Sequence, residues 1–338
     1  MTEAPARLPA ADLERLAIAA LERAGTSHPN AASVAQALVA AEIDGQNGHG
    51  LSRVANYAAQ VRAGKVAGEA VPKAERTRAA ALAIDAAHGF AYPALDVAVA
   101  QLPQIAQESG VAAAGIRRSH HAGALGRIAE RLADAGLVAL VLANTPLAMA
   151  PWGGRRALLG TNPVAFAAPR ADAAPIVIDL ALSEVARAKV VGAAQKGESI
   201  PLGWATDRDG TPTTDPTAAL DGTLLPAGGA KGAALALMVE LIAAAVTGSQ
   251  FAFEASSFLD DKGAPPATGQ LIVALDGACL GAASGMAKRI SALAAEIESE
   301  PGARLPGSRR LALREAARRD GVAVDPRTLT ELRMLAGD

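Results

Sequence analysis

Histidine is the scarce acid–base group of this chain: only five occur among 338 residues. One of them, His49, lies between two glycines in DGQNGHG, just ahead of a helix predicted to begin near Leu51. That helix carries Arg53 and Tyr57, four positions apart and therefore on one face. If helical geometry reaches back to His49, an imidazole, a guanidinium and a phenol fall on successive turns. Arg53 could then fork onto a carboxylate while His49 exchanges a proton near neutral pH. A turn-capping histidine beside an exposed arginine fits the local sequence equally well.

His120 and His121 stand in SHHAGALG, where a strand end passes into a helix N-terminus. Backbone N–H groups at such a terminus suit a phosphate or a carboxamide. One of the two adjacent rings should face inward and the other outward. The sequence offers no metal site: adjacent histidines do not share a face, no HxxxH or HExxH pattern accompanies them, and Cys279 stands alone. Asp179 closes the apolar strand PIVID, either as a ligand contact at the strand's C-terminal edge or as a helix N-cap. Thr161 and Asn162 sit in WGGRRALLGTNP, a polar loop between apolar strands that reads as a binding wall. Arg304, Arg309 and Arg310 surround the Pro-Gly turn of RLPGSRR, where they clamp the extra phosphate of NADP or merely solvate a helix start. His28, before Pro29, reads as a surface residue, and His88, in IDAAHGF, as a turn residue.

These groups must be positioned by a mixed succession of elements. Leu13, Leu16, Ile18 and Leu21 give Ala11–Ala24 helical spacing, and Asn30 reads as the N-cap of a second helix, Ala31–Ile43. A strand at 80–85 and a helix over Pro93–Glu108 follow, then the strand VAAAGI and a helix to about Ala135. The strands VALVLAN, ALLG, PVAFAAP and PIVIDL come next, with a helix from about Ser183. The nearly uncharged GGAKGAALALMVELIAAAVTG is expected to form a central, buried helix. The strand LIVALD and three C-terminal helical stretches complete the chain. No strand is followed by G-x-G-x-x-G, and GGAKGA has the wrong spacing for a Walker A loop, so any dinucleotide must bind on another architecture.

Composition narrows the function classes. The length allows two or three domains. A net charge of -2 with acids and bases interspersed argues against nucleic acid as the main partner. The uncharged stretch Ala135–Gly154 has the length of a membrane span but contains Asn144, Thr145, Pro146 and Pro151, so it reads as a buried strand and loop. The N-terminus has no apolar run of signal-peptide length, and a single cysteine fits a reducing compartment; a cytoplasmic protein without membrane association is expected. Aromatic residues make up only 3% of the chain, so Ala, Leu, Val and Ile must fill the core.

Several segments together resemble the malate/L-lactate dehydrogenase (type 2) family. They are DGQNGHGLSRVANY, SHHAGALG, NTPLAMAPWGGRRALLGTNPVAFAAP, IVIDLALSEVARAKV, QKGESIPLGW with DGTPTTDP, GGAKGAALALMVELIAAAVTG, TGQLIVALD and RLPGSRR, in order over about residues 35–310. Within the family, KGESIPLGWA, FEASSF and IDAAHGFAYPAL look most similar to the Δ1-piperideine-2-carboxylate/Δ1-pyrroline-2-carboxylate reductases. The resemblance implies an α/β fold with a non-Rossmann NAD(P)-binding domain on a mostly antiparallel sheet. That domain would span 119–275, and a helical substrate and dimerisation domain would combine 1–118 with 276–338. It further implies a homodimer that uses NADPH, or NADH, to reduce cyclic imino acids. The alternatives are a 2-hydroxy-acid dehydrogenase acting on malate, lactate or ureidoglycolate, with a 2-oxo acid as the reduced substrate, and a dinucleotide-binding protein without catalysis.

By this resemblance His49 is the proton donor, and Arg53, Tyr57 and Thr161 bind substrate. Cofactor contacts fall to His121, Ala122, Gly123, Ala124, Leu125, Asp179, Leu180, Ala181, Arg187, Lys231, Arg304, Gly307, Arg309 and Arg310. Two departures stand out. The family usually has Ser-His-Gly where this chain has Gly48-His49-Gly50, and the reductase branch can place an acid where this chain has Ala188-Lys189.

Overall fold

The computed structural model describes residues 5–282 and 285–338. The two ends of the chain meet: β1 (Ala6–Leu8) pairs antiparallel with β12 (Val322–Val324). The main sheet has seven strands in the order β2 (Lys73–Arg78), β3 (Ala81–Asp85), β4 (Val111–Ser119), β11 (Thr268–Leu275), β5 (Val138–Ala143), β6 (Val164–Ala168) and β7 (Ile176–Leu180). Only β3 and β4 run parallel, and the helix α4 (Ala91–Ser109) supplies the crossover that such a pair needs. All other neighbours are antiparallel, as the family resemblance implied. The sheet takes strands from both sides of residue 118, so β2 to β4 join β5 to β7 in one layer.

Small side chains let the layers approach closely. Alanines of β4, β5 and β6 pack with Leu95, Leu102 and Ile105 of α4 and with Ile128 and Leu132 of α5 (Leu125–Asp134) in one cluster. A second cluster joins α1 (Ala10–Glu22), α2 (His28–Ile43), α3 (Val54–Arg62) and α11 (Pro326–Ala336), and it holds Tyr57, Phe90 and Tyr92. Arg314 of α10 (Ser308–Asp320) links this helical layer to the sheet layer, reaching Asp44 at 2.6 and 2.8 Å and Glu130 of α5 at 2.7 Å. The third cluster lies around α6 (Arg187–Lys196), α7 (Pro216–Asp221), α8 (Ala230–Glu240) and the small sheet of β8 (Ala205–Thr206), β9 (Pro212–Thr213) and β10 (Thr223–Leu224). After the helix α9 (Met286–Ser299), α10 and α11 complete the three C-terminal helices.

Four details differ from the sequence reading. Helix α2 starts at His28 with Pro29 in its first turn, and Asn30 is no cap: its side chain donates to Gly68 O and Ala70 O at 2.8 and 2.9 Å, tying down the loop after α3. ALLG forms one isolated bridge, Leu159 to Met149, in place of a strand. The helix expected from Ser183 begins at Arg187 because Ser183 and Glu184 are engaged in a bridge to the 225–226 segment. The fourth difference concerns α8 and the π-helical turn Leu241–Ala245 that continues it. Ala233, Ala236, Val239, Ala243 and Ala244 face the interior, but Leu235, Leu237, Met238 and Leu241 are 41–49% exposed. An all-apolar run carries no polar stripe to mark its outer face, so the sequence reads as buried whatever covers it. Among the described residues, no helix is long and apolar enough to cross a membrane.

Candidate active site

The segment after α2 folds into two short 3-10 turns, Asn47–His49 and Leu51–Arg53, before α3 begins at Val54. Gly50 separates them. A Cβ at Gly50 would lie 2.0 Å from Glu42 Oε2, which accepts the Leu51 N–H at 2.9 Å, so no side chain fits there. The break means that His49 does not continue the face of α3; it folds back over it. Arg53 Nε donates to Gly48 O at 2.6 Å, which fixes the guanidinium against the His49 turn.

The fold-back brings His49 to His121. The rings stack with centroids 5.1 Å apart, and His49 Nδ1 lies 3.2 Å from His121 Nε2. His121 Nδ1 is 2.6 Å from Tyr57 Oη, which is 3.1 Å from Tyr92 Oη. A continuous hydrogen-bonded chain therefore runs Tyr92, Tyr57, His121, His49. Reversing every donor and acceptor along it turns His49 Nε2 from a proton acceptor into a donor without moving a heavy atom. Tyr57 was expected to touch substrate, but it is fully buried with its hydroxyl engaged twice, which places it behind His121.

Burial sets the charge states. It lowers His49 to about 4, with the Arg53 cation adding to the effect, and it holds His121 well below the usual imidazole range, aided by Arg53, His49 and His120. It pushes Tyr57 up to about 12 and raises Tyr92 as well. At neutral pH the whole chain is thus uncharged beside a fixed Arg53 cation.

His120 points the other way, 1% exposed, edge-on to Tyr57, Phe90 and Phe258, and neither ring nitrogen has a partner among the described residues. Burial, then Lys65 and Arg53, lower it to about 3. The unfolded chain binds this proton below about pH 6.5, while the folded protein refuses it until about pH 3, so stability is lost as pH falls through that window. At pH 4.5 the loss from this group is roughly 2–3 kcal/mol. Urea melts of His120→Leu at pH 7 and 4.5 should show a correspondingly smaller acid loss than wild type; equal losses would refute the assignment.

The second candidate region lies where β4 leads into α5. Ala124 occupies the N-cap position, and Asp179 at the end of β7 accepts from Gly126 N at 2.9 Å and Gln46 Nε2 at 3.3 Å. Its carboxylate therefore caps α5 and not the helix that follows it. Arg310 packs beside this pair. A Cβ at Gly126 would lie 2.9 Å from both Arg310 Nη1 and Asp179 Oδ2. Arg310 Nη2 donates to Val177 O at 3.1 Å, whereas the buried Nη1 has no partner among the described residues. Gly307 turns the chain at φ +86 to bring Arg310 inward, leaving Arg304 and Arg309 exposed. An unpartnered donor beside a helix N-terminus and two exposed arginines fits an anionic cofactor.

Thr161 bonds to Thr145 through both its amide (2.9 Å) and its hydroxyl (3.2 Å), so Thr145, which the sequence reading did not single out, adjoins the expected wall. Asn162, at φ +41, is anchored to Glu240 Oε2 at 2.8 Å. Leu180 and Lys231 are exposed, Ala181 is half-buried, and Arg187 donates to Leu220 O at 3.2 Å. Among the described residues, no group of three or more His, Cys, Asp or Glu could hold a metal ion.

The family model for malate/L-lactate dehydrogenase matches residues 8–333. The chain belongs to the malate/L-lactate dehydrogenase family. Among its relatives, the (2R)-3-sulfolactate dehydrogenase (NADP(+)) of Chromohalobacter salexigens is 48% identical over 325 residues, 96% of each chain. The Δ1-pyrroline-2-carboxylate/Δ1-piperideine-2-carboxylate reductase of Pseudomonas syringae pv. tomato is 42% identical over 314 residues, 93% of this chain and 91% of that one. The crystal structure of Δ1-piperideine-2-carboxylate reductase from the same organism superposes with a TM-score of 0.92 at 40% identity, covering 98% and 99% of the two chains. These are dehydrogenases and reductases, and this family member is an oxidoreductase.

The two departures from the family pattern are neighbours. A Cβ at Gly48 would lie 3.8 Å from Ala188 Cβ, so the two places adjoin; Gly48 supplies no hydroxyl and Ala188-Lys189 no carboxylate. The partner left to His49 is His121.

Proposed function

We propose that this oxidoreductase uses NADPH to reduce small cyclic imino acids, Δ1-pyrroline-2-carboxylate to proline and Δ1-piperideine-2-carboxylate to pipecolate. The observation that carries the reading is the placement of His49 between the His121 ring and the Arg53 guanidinium, where burial and the Arg53 charge disfavour its protonated form. A carbonyl oxygen is scarcely basic, so a 2-oxo acid needs a protonated donor waiting in the enzyme. An imine nitrogen is basic enough to hold the proton itself, so a His49 that is neutral before substrate binds can still serve as the proton donor, sharing the proton between its Nε2 and the imine nitrogen. The cofactor, when bound, supplies hydride to C2, and the balance is imine, hydride and one proton giving the secondary amine. Arg53 forks onto the carboxylate and Thr161 closes its other side, fixing C2. Carboxylate binding also offsets the cation that helps depress His49. The imidazole and the imine nitrogen then share the proton, and the His121–Tyr57 chain adjusts its tautomers to match.

The Arg304–Arg310 turn, Asp179 and the His121–Leu125 segment are proposed to hold the cofactor, with Arg187 and Lys231 at the rim. Arg309→Ala and Arg310→Ala should each raise KM for NADPH about tenfold more than KM for NADH, the worth of a charge-assisted hydrogen bond. Equal effects on both cofactors would remove the phosphate clamp.

The exposed apolar face of α8, continued by Val246 and Phe253, supports a homodimer, and the exposed Cys279 supports a reducing cytoplasm as its compartment. The assignment of 119–275 to cofactor binding and of 1–118 with 276–338 to substrate binding belongs to the same proposal, with the apolar face of α8 moving the proposed dimer contact into 119–275.

A second reading, a 2-hydroxy-acid dehydrogenase, is favoured by the 48% identical sulfolactate dehydrogenase. NADPH-oxidation assays with Δ1-pyrroline-2-carboxylate, Δ1-piperideine-2-carboxylate, pyruvate, oxaloacetate and 3-sulfopyruvate separate the two. Turnover of the imino acids above the oxo acids supports the first reading. Turnover of oxo acids alone supports the second, and cofactor binding without any turnover would leave a binding protein.

A further inference from the structure

Lys65, just beyond the end of α3, is among the largest fully buried side chains, and its ammonium group lies inside a ring of acceptors. It donates to Ser257 O at 2.6 Å, Asp260 O at 2.9 Å and Lys262 O at 2.6 Å, with Asp260 Oδ1 at 3.4 Å. Three carbonyls match the three N–H donors of an ammonium group. Gln60 of α3 adds bonds to Phe258 O at 3.2 Å and Asp260 O at 2.8 Å, so the 257–262 loop is held from α3 at several points. Taking an ammonium out of water is costly even when it is hydrogen-bonded, and a neutral residue could fill the volume. What the arrangement fixes is Phe258, whose buried ring lies 5.2 Å from the His120 ring and 5.3 Å from the His121 ring. The same α3 presents Tyr57 to His121 Nδ1 at 2.6 Å.

We propose that Lys65 is a positioning residue for proton handling: its ammonium group pins the 257–262 loop, and through Phe258 it shuts water off from the faces of His120 and His121. The inference rests on the reading of His121 as the partner of His49, but not on the identity of the substrate. The charged and titratable groups facing His121 are His49, Arg53, Tyr57, Tyr92 and His120, with Lys65 beyond His120. Of these only Lys65 and Arg53 carry charge at neutral pH, and both disfavour a protonated imidazole. With the loop loosened, water reaches the ring and the largest cause of its depressed basicity, burial, is removed.

The test uses Lys65→Met, which keeps the length and apolar volume of the side chain but has no donor, and Phe258→Ala, which leaves the ammonium cage intact. The readouts are a nitrogen-15 NMR titration of the imidazoles in substrate-free enzyme and the pH dependence of kcat with whichever substrate is turned over. Both variants should let His121 titrate closer to an ordinary imidazole, move the acid limb of kcat to higher pH and lower kcat by about tenfold, with KM for NADPH unchanged. If the folded Lys65→Met enzyme keeps the wild-type titration of His121 and differs only in melting temperature, the proposal fails. It fails equally if Phe258→Ala leaves the titration unmoved, and that variant alone decides the matter should Lys65→Met not fold. Because the NMR readout needs no substrate, it stands apart from the success or failure of the imino-acid reading.

Discussion

Replacing His49 with alanine should lower kcat for the imino acid by about 10²–10⁴, the range over which a positioned acid–base group acts. KM for the imino acid should change far less. Arg53, which holds the carboxylate, keeps its own anchor to Gly48 O, a backbone atom that the substitution does not remove. Neither Gly48 nor Ala188 offers a polar group to take over, and His121 sits one ring further from the substrate position. Glutamine at 49 should recover little, since it can hydrogen-bond the imine nitrogen but cannot share its proton. Steady-state NADPH oxidation by the alanine variant measures the effect directly, and activity within threefold of wild type would show that another group handles the proton.

Arg53→Leu should lower kcat/KM by about 10²–10³, as expected when one partner of a desolvated, hydrogen-bonded charge pair is lost. It carries a second signature. The Arg53 cation is the second cause of the low basicity of His49 and of His121, after burial. Without it both imidazoles become easier to protonate, so the acid limb of the residual activity should move to higher pH. A variant that lost affinity without this shift would place Arg53 on the carboxylate but not beside the proton path. Lysine at 53 should restore the charge and the pH profile while leaving part of the affinity loss, because an ammonium cannot fork onto a carboxylate.

The sequence disclosed the chemistry of the site more readily than its geometry. DGQNGHG followed by Arg53 and Tyr57 marked the acidic and basic groups because histidine and tyrosine are so rare in this chain. Helical spacing placed all three on one face, but Gly50 breaks the helix into 3-10 turns against Glu42, which turns His49 back and Tyr57 inward. The contacts that matter, His49 to His121 and Tyr57 to Tyr92, join residues 72 and 35 positions apart. No local pattern encodes such a pairing. Tyr92 could have been suspected from its rarity alone. Lys65 could not, since a lone lysine after a helix end in RAGK gives no sign that three carbonyls nearly two hundred positions later will surround it. The absence of a Rossmann turn followed from missing glycines and the mostly antiparallel sheet from the family resemblance, whereas the strand order and the single parallel pair, β3 with β4, had no local signature. The exposure of α8 had none either, because hydrophobic pattern reports what a face can bury and not what is there to bury it.

The measurement that tests the account most directly is the ratio of kcat/KM for Δ1-pyrroline-2-carboxylate to that for a 2-oxo acid, followed from pH 5 upward. The parameter kcat/KM reports the protonation state of the free enzyme, in which His49 is neutral above about pH 4. Reduction of the oxo acid should therefore fall about tenfold per pH unit, while reduction of the imino acid stays level until the substrate loses its own proton. The account predicts a ratio above one that climbs with pH and then flattens. A ratio below one at neutral pH, or one that does not change between pH 5 and neutrality, would contradict it.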